Sequence, residues 1–123
     1  MSSRFYLLLC CGLFLWGACQ ESLPTIADFD QKAWQNDKMG CQGQRAASFE
    51  VLLAQRKLLM GLSQKKLMAL LGKPDEQRLH KRNQKYYVYY LAGSPQCKSA
   101  STKYLLFRFS ALDNITEVLL KEE

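Results

Sequence analysis

Cysteine is the most reactive residue type in this chain, and the five cysteines fall into three groups by their neighbours. Cys10 and Cys11 sit inside an apolar run. Cys19 follows Trp16-Gly17-Ala18. Cys41 and Cys97 stand in Gly40-Cys41-Gln42-Gly43 and Ser94-Pro95-Gln96-Cys97, two loop-like settings. Small residues just ahead of a cysteine let an extended chain enter the cleft of a lipoprotein signal peptidase, after which the thiol carries a diacylglyceryl group. Residues 1–18 fit the rest of such a signal. Arg4 gives the positive start, and Phe5 to Trp16 form an apolar stretch too short to span a bilayer as a stable anchor. Trp16 stands where leucine is usual. A plain secretory cut after Ala18 requires small residues at both the first and the third positions before the cut, which Trp16 breaks more severely. A retained anchor is the third alternative. In every exported case Cys41 and Cys97 remain in the domain, and two cysteines in an oxidising compartment predict one disulfide. The long loop it would close makes it worth roughly 4 kcal/mol on chain-entropy grounds. Redox or metal chemistry would need a C-x-x-C spacing or further ligands, and neither is present.

Few other residues suggest catalysis. Ser63 precedes a helical pattern and reads as its N-cap. His80, the single histidine, lies between Leu79 and Lys81 with no nucleophile at a recognisable spacing. One histidine excludes a multi-histidine metal centre. Asp75-Glu76 follows Pro74 and reads as a solvated or turn-capping pair. There is no phosphate loop and no dinucleotide fingerprint. The expectation is a protein that is not an enzyme and that needs no cofactor and no metal.

The stretch from Arg78 to Tyr90, RLHKRNQKYYVYY, is the strongest binding signal. Tyrosines interleaved with cations suit stacked bases and phosphates. The export signal opposes nucleic acid as a partner. The same residues suit a protein interface, where exposed aromatics concentrate. They also suit anionic headgroups, near which each cation is worth about 1 kcal/mol. The candidate interaction surface is therefore Tyr86, Tyr87, Tyr89 and Tyr90 with Lys81, Arg82 and Lys85. Alternation along a strand would divide these tyrosines between two sheet faces, one of them packed on helices.

The elements that must hold these residues follow from periodicity. The 123 residues are 48% hydrophobic and 23% charged, with a net charge of +6, which describes one small basic domain and not a disordered chain. Residues 19–27 read as a tether and 28–123 as a single domain. Asp28 to Lys38 predicts a short helical turn that buries Trp34. Phe49, Leu52, Leu53, Leu59 and Met60 predict a helix from Arg45 to Met60, stopped by Gly61. Ser63 opens a second helix to Leu71, ended by Gly72 and Pro74. The period then changes to two. Strands are predicted at Gln77 to Lys81, Lys85 to Leu91, Lys103 to Ser110 and Ile115 to Leu120, with a polar loop from Ala92 to Thr102. This is an α+β plan: two N-terminal helices packed on a three- or four-stranded antiparallel sheet.

Gly61-Leu62-Ser63-Gln64-Lys65-Lys66-Leu67, then Leu70-Leu71-Gly72-Lys73-Pro74-Asp75 and an aromatic strand, resembles the SmpA/OmlA (BamE-like) family of small outer-membrane lipoproteins. The match is close over Met60 to Tyr90 and extends further in the order of elements. The resemblance implies two helices on a three-stranded antiparallel sheet, a layout shared with β-lactamase inhibitor proteins. It also implies an outer-membrane address facing the periplasm, a lipid anchor at Cys19, and an envelope protein as partner. The Cys41/Cys97 pair, the long segment before the first main helix and the longer 92–102 loop depart from the family pattern. The alternative function is a secreted inhibitor that presents its sheet or its braced loop to an enzyme.

Overall fold

A computed structural model describes residues 23–97 and 101–123. Cys10, Cys11, Cys19 and the signal-like segment lie outside the described residues. Four strands follow one another as an antiparallel meander: β1 Glu76–Leu79, β2 Lys85–Ala92, β3 Lys103–Phe109 and β4 Ile115–Glu122. Three helices precede them, α1 Gln31–Asn36, α2 Gln44–Ala54 and α3 Gln64–Leu71. The α+β plan therefore holds, with four strands and one helix more than the two expected. The added helix is the turn around Trp34. Asp30 caps it, its Oδ1 accepting from the Ala33 N–H at 3.1 Å, and Trp34 is fully buried.

Local chemistry sets the other boundaries. An α2 continued beyond Ala54 would carry Arg56 inward, four residues after the buried Leu52. Instead the chain tightens into a 3-10 turn, Arg56–Leu58, which leaves Arg56 exposed and still buries Leu59. Helix α3 starts where Ser63 Oγ accepts from the Lys66 N–H at 3.2 Å and stops at Gly72, whose φ of +82° suits glycine. The inner face of the sheet carries Tyr87, Tyr89, Leu105, Phe107 and Phe109, which bury Trp34, Leu52, Leu67 and Leu71 against them. Each large apolar side chain so buried contributes about 1.5–3 kcal/mol. Packing begins earlier than residue 28. Ile26 belongs to the core, and Gln55 clamps Ala27 by accepting from its N–H at 3.0 Å and donating to its carbonyl at 2.9 Å.

A buried polar cluster ties helices to sheet. Arg45 donates from Nε to the Trp34 carbonyl at 3.0 Å, and from Nη1 to Asp75 Oδ2 at 2.5 Å and to the Tyr90 carbonyl at 3.2 Å. Its guanidinium lies 5.3 Å from the Trp34 ring and 5.7 Å from the Tyr89 ring. Asp75 also accepts from the N–H groups of Met39 and Tyr90. Asp75 is thus no solvated turn residue; its side chain is 4% exposed and forms a buried ion pair. Asp37, fully buried, caps α2 from a distance by accepting from the Gln42 and Arg45 N–H groups. Nearby the predicted Cys41–Cys97 disulfide is formed, with Cα atoms 5.4 Å apart, joining the turn before α2 to the loop after β2.

Candidate interaction surface

The register decides where the candidate residues point. In β2, Tyr87 and Tyr89 face the helices and are core residues, 2% and 0% exposed. Tyr87 Oη donates to Gln64 Oε1 and Tyr89 Oη to the Gly72 carbonyl, both at 2.7 Å, so each phenol locks α3 to the sheet. Burial pushes both hydroxyls above the ordinary tyrosine range. These two tyrosines do not belong to an accessible surface. Tyr86 and Tyr90 point to the other face, because successive strand residues alternate.

That outer face is an apolar layer roofed by polar side chains. Val88, Tyr90, Tyr104 and Leu106 form a second cluster, edged by Tyr86, Met39 and Leu119. Arg78 is opposite Tyr86, Glu76 opposite Val88, and Tyr90 opposite Tyr104. Arg78 therefore reaches diagonally over Val88. Its Nε donates to Glu76 Oε1 at 2.9 Å and its Nη1 to Tyr104 Oη at 3.2 Å, with the guanidinium 5.0 Å from the Tyr104 ring. Tyr90 Oη donates to Glu76 Oε2 at 2.7 Å, and Tyr104 Oη to Glu123 Oε1 at 2.9 Å. Hydrogen bonds from Arg78 and then Tyr90 hold the Glu76 carboxyl below its usual range. Burial, helped by Glu76, raises the Tyr90 hydroxyl. Tyr90 itself is only 4% exposed.

The accessible part of the predicted surface is one end of the sheet. Lys81 and Arg82 are exposed at the β1–β2 hairpin tip, and Lys85 and Tyr86 are half-buried at the start of β2. Arg82 and Asn83 both have positive φ, 60° and 61°, which sets the tip. The exposed His80 lies edge-on to Tyr86, with ring centroids 5.1 Å apart. Lys85 pairs with both Leu79 and Phe109, and Phe109 with Ile115, so the hairpin tip and the β3–β4 turn share this end. Each brings a leucine into solvent, Leu79 at 86% and Leu112 at 84% exposed. Asp113 is the acidic group in that turn; it accepts from the Gln64 N–H at 3.1 Å. This end of the sheet therefore carries two exposed leucines, one on each turn, together with the cations Lys81, Arg82 and Lys85 of the β1–β2 side.

Sequence reasoning missed Leu79, Leu112, Glu76, Arg78 and Tyr104 as parts of these surfaces. Alternation in KYLLFRFS does place Tyr104 opposite in face to Leu105, and that was the available signal. Ser63 is a cap, as expected. His80 and Asp75 lie at opposite ends of β1, about 16 Å apart along the strand, so they share no site. Among the described residues no group of three or more His, Cys, Asp or Glu side chains could hold a metal ion, and no helix is long and apolar enough to cross a membrane. No family model, no curated protein and no solved structure matches this chain.

Proposed function

We propose that this chain is a lipid-anchored protein of the bacterial cell envelope, a binding or scaffold module of the SmpA/OmlA (BamE-like) kind that faces the periplasm from the outer membrane and supports outer-membrane protein assembly. The observation that carries this reading is the Gly17-Ala18-Cys19 end of an export signal placed directly before a packed domain. Ile26 already belongs to the core. Seven peptide steps separate it from Cys19, and at most about 3.5 Å per step keeps the domain within about 25 Å of an acylated thiol. The helix–hinge–helix–Leu-Gly-Lys-Pro order ahead of an antiparallel meander supports the family kinship. The amphipathic sheet end supplies a surface for an envelope protein, with Tyr86, Lys81, Arg82 and Lys85 in it.

Metabolic labelling with a radioactive fatty acid tests the anchor. Label in the wild-type chain and none in Cys19→Ser is expected; an unlabelled wild-type chain overturns the reading. A second reading, a secreted inhibitor, is favoured by the Cys41–Cys97 bridge, which pins one end of the 92–102 loop to the turn before α2. That reading requires a soluble enzyme as target and undiminished action in Cys19→Ser.

A further inference from the structure

The last strand has an open edge. Thr102 and Glu123 exchange reciprocal backbone hydrogen bonds, at 3.1 and 2.8 Å, which fixes the alternation along the β3–β4 ladder. Residues 117, 119, 121 and 123 turn their N–H and C=O groups toward β3, and Val118, Leu120 and Glu122 turn theirs outward. Among the described residues none pairs with those outward groups. The edge is taken only at its start, where Ile115 bonds Leu62 and Gly61 at 2.9 Å each. An unpaired row of backbone groups beside the apolar run Val118-Leu119-Leu120 is a template for another strand.

We propose that a second copy of this chain supplies that strand: two β4 strands pair edge to edge and antiparallel, with Leu119 at the two-fold axis, joining both sheets into one. Charge selects this register. Outward residues must pair with outward residues, so the axis falls at 118, 119 or 120. With Leu119 on the axis, Glu117 of each copy stands opposite Lys121 of the other, and Val118 opposite Leu120. An axis at Leu120 sets Glu117 against Glu123. An axis at Val118 drives Lys121, Glu122 and Glu123 against Ile115 and the turn before it, where Leu62 and Gly61 already occupy the edge, whereas an axis at Leu119 brings only the terminal Glu123 there. Opposite charges directly across strands attract and like charges repel.

The helix side of the edge fits the same arrangement. A groove of about 390 Å³ runs between Arg56, Lys57 and Met60 on one wall and Thr116 to Leu119 on the other. Met60 is 43% exposed there. The chosen register brings Leu120 of the second copy toward Met60, and its Glu122 opposite Thr116, beside Arg56 and Lys57. The isologous contact thus pairs apolar with apolar and acid with base on both faces of the sheet.

Sedimentation of the full chain in mild detergent, over a concentration series, tests the pairing directly, and a dimer is expected. Lys121→Glu should weaken the dimer by about tenfold, since it places like charges across the axis twice, and Glu117→Lys should weaken it at least as much, because it also removes the Arg108–Glu117 pair within each chain, 3.4 Å apart. The double exchange E117K/K121E should restore it. Under oxidation Leu119→Cys should raise covalent dimer above the wild-type background and Lys121→Cys should not. A wild-type chain that stays monomeric up to its solubility limit overturns the proposal. So does a dimer that the double exchange fails to restore.

Discussion

Arg45 is the side chain on which the fold's electrostatics converge. Its charge is almost wholly removed from water, and Asp75, two carbonyl-side acceptors and two aromatic faces replace that water. A buried pair adds little against an apolar pair of the same shape, but breaking one is costly because the other charge is stranded. Asp75→Ala is therefore expected to lose about 3–5 kcal/mol in urea denaturation. Arg45→Met combined with Asp75→Ala should lose less than Asp75→Ala alone, and an additive loss would contradict the coupling. The tyrosines carry a second prediction. Burial raises the hydroxyls of Tyr87, Tyr89 and Tyr90, so the folded chain holds those protons while the unfolded chain releases them near the ordinary value of 10.0. Their stabilisation is present below that value and is lost as pH rises beyond it. Thermal midpoints should fall above pH 10, and Tyr89→Phe should flatten the fall while costing about 1 kcal/mol at neutral pH for its bond to Gly72.

Local elements and their joints were legible in different degrees. Caps and breakers act within a few residues, so Ser63, Gly72 and the change of period after Pro74 placed α3 and the strands close to their observed ends. Apolar spacing alone predicts a helix to Met60, longer than the observed α2, because a list of apolar positions does not show that Arg56 would fall inward. The Arg45–Asp75 pair and the Asp37 cap were not legible at all. Their partners are joined by the tertiary fold and by nothing in the local pattern. The candidate surface was half legible: alternation divides the tyrosines, but only the register shows that Arg78 and Glu76 roof one of the faces. The disulfide could be read because elimination left two cysteines, and it acts at this scale by holding the turn before α2 to the loop after β2. Cys41→Ser and Cys97→Ser should each destabilise by a similar amount, roughly 4 kcal/mol at most, and the double change should add little. Strongly additive losses in denaturant titration would show a different pairing. Gly40 packs this joint. A Cβ there would lie 2.6 Å from the Tyr90 carbonyl oxygen, at a φ of +68°, so Gly40→Ala should lower the thermal midpoint clearly.

At the scale of the whole molecule, the β-meander separates the residues that hold the fold from those it leaves exposed at one end. The inner face and the Arg45 cluster hold the fold, and the hairpin end contributes little to it. Leu79 and Leu112 are almost fully exposed, so replacing both with glutamine removes apolar surface that folding never buried. Surface changes of this kind usually shift stability by under about 0.5 kcal/mol. The thermal midpoint should therefore stay within a few degrees of wild type. If this end is where an envelope partner docks, the same double change should sharply reduce partner recovery from crosslinked cells, since anchors at the centre of an interface carry most of its energy. Lys81→Gln with Arg82→Gln should act differently. Peripheral cations govern the encounter rate and its salt dependence, so recovery should fall mainly at low ionic strength. Full recovery with the leucine variant, in a chain that still folds, would count against the hairpin end as the proposed docking surface and leave the roofed face of Tyr90 and Tyr104 as the alternative.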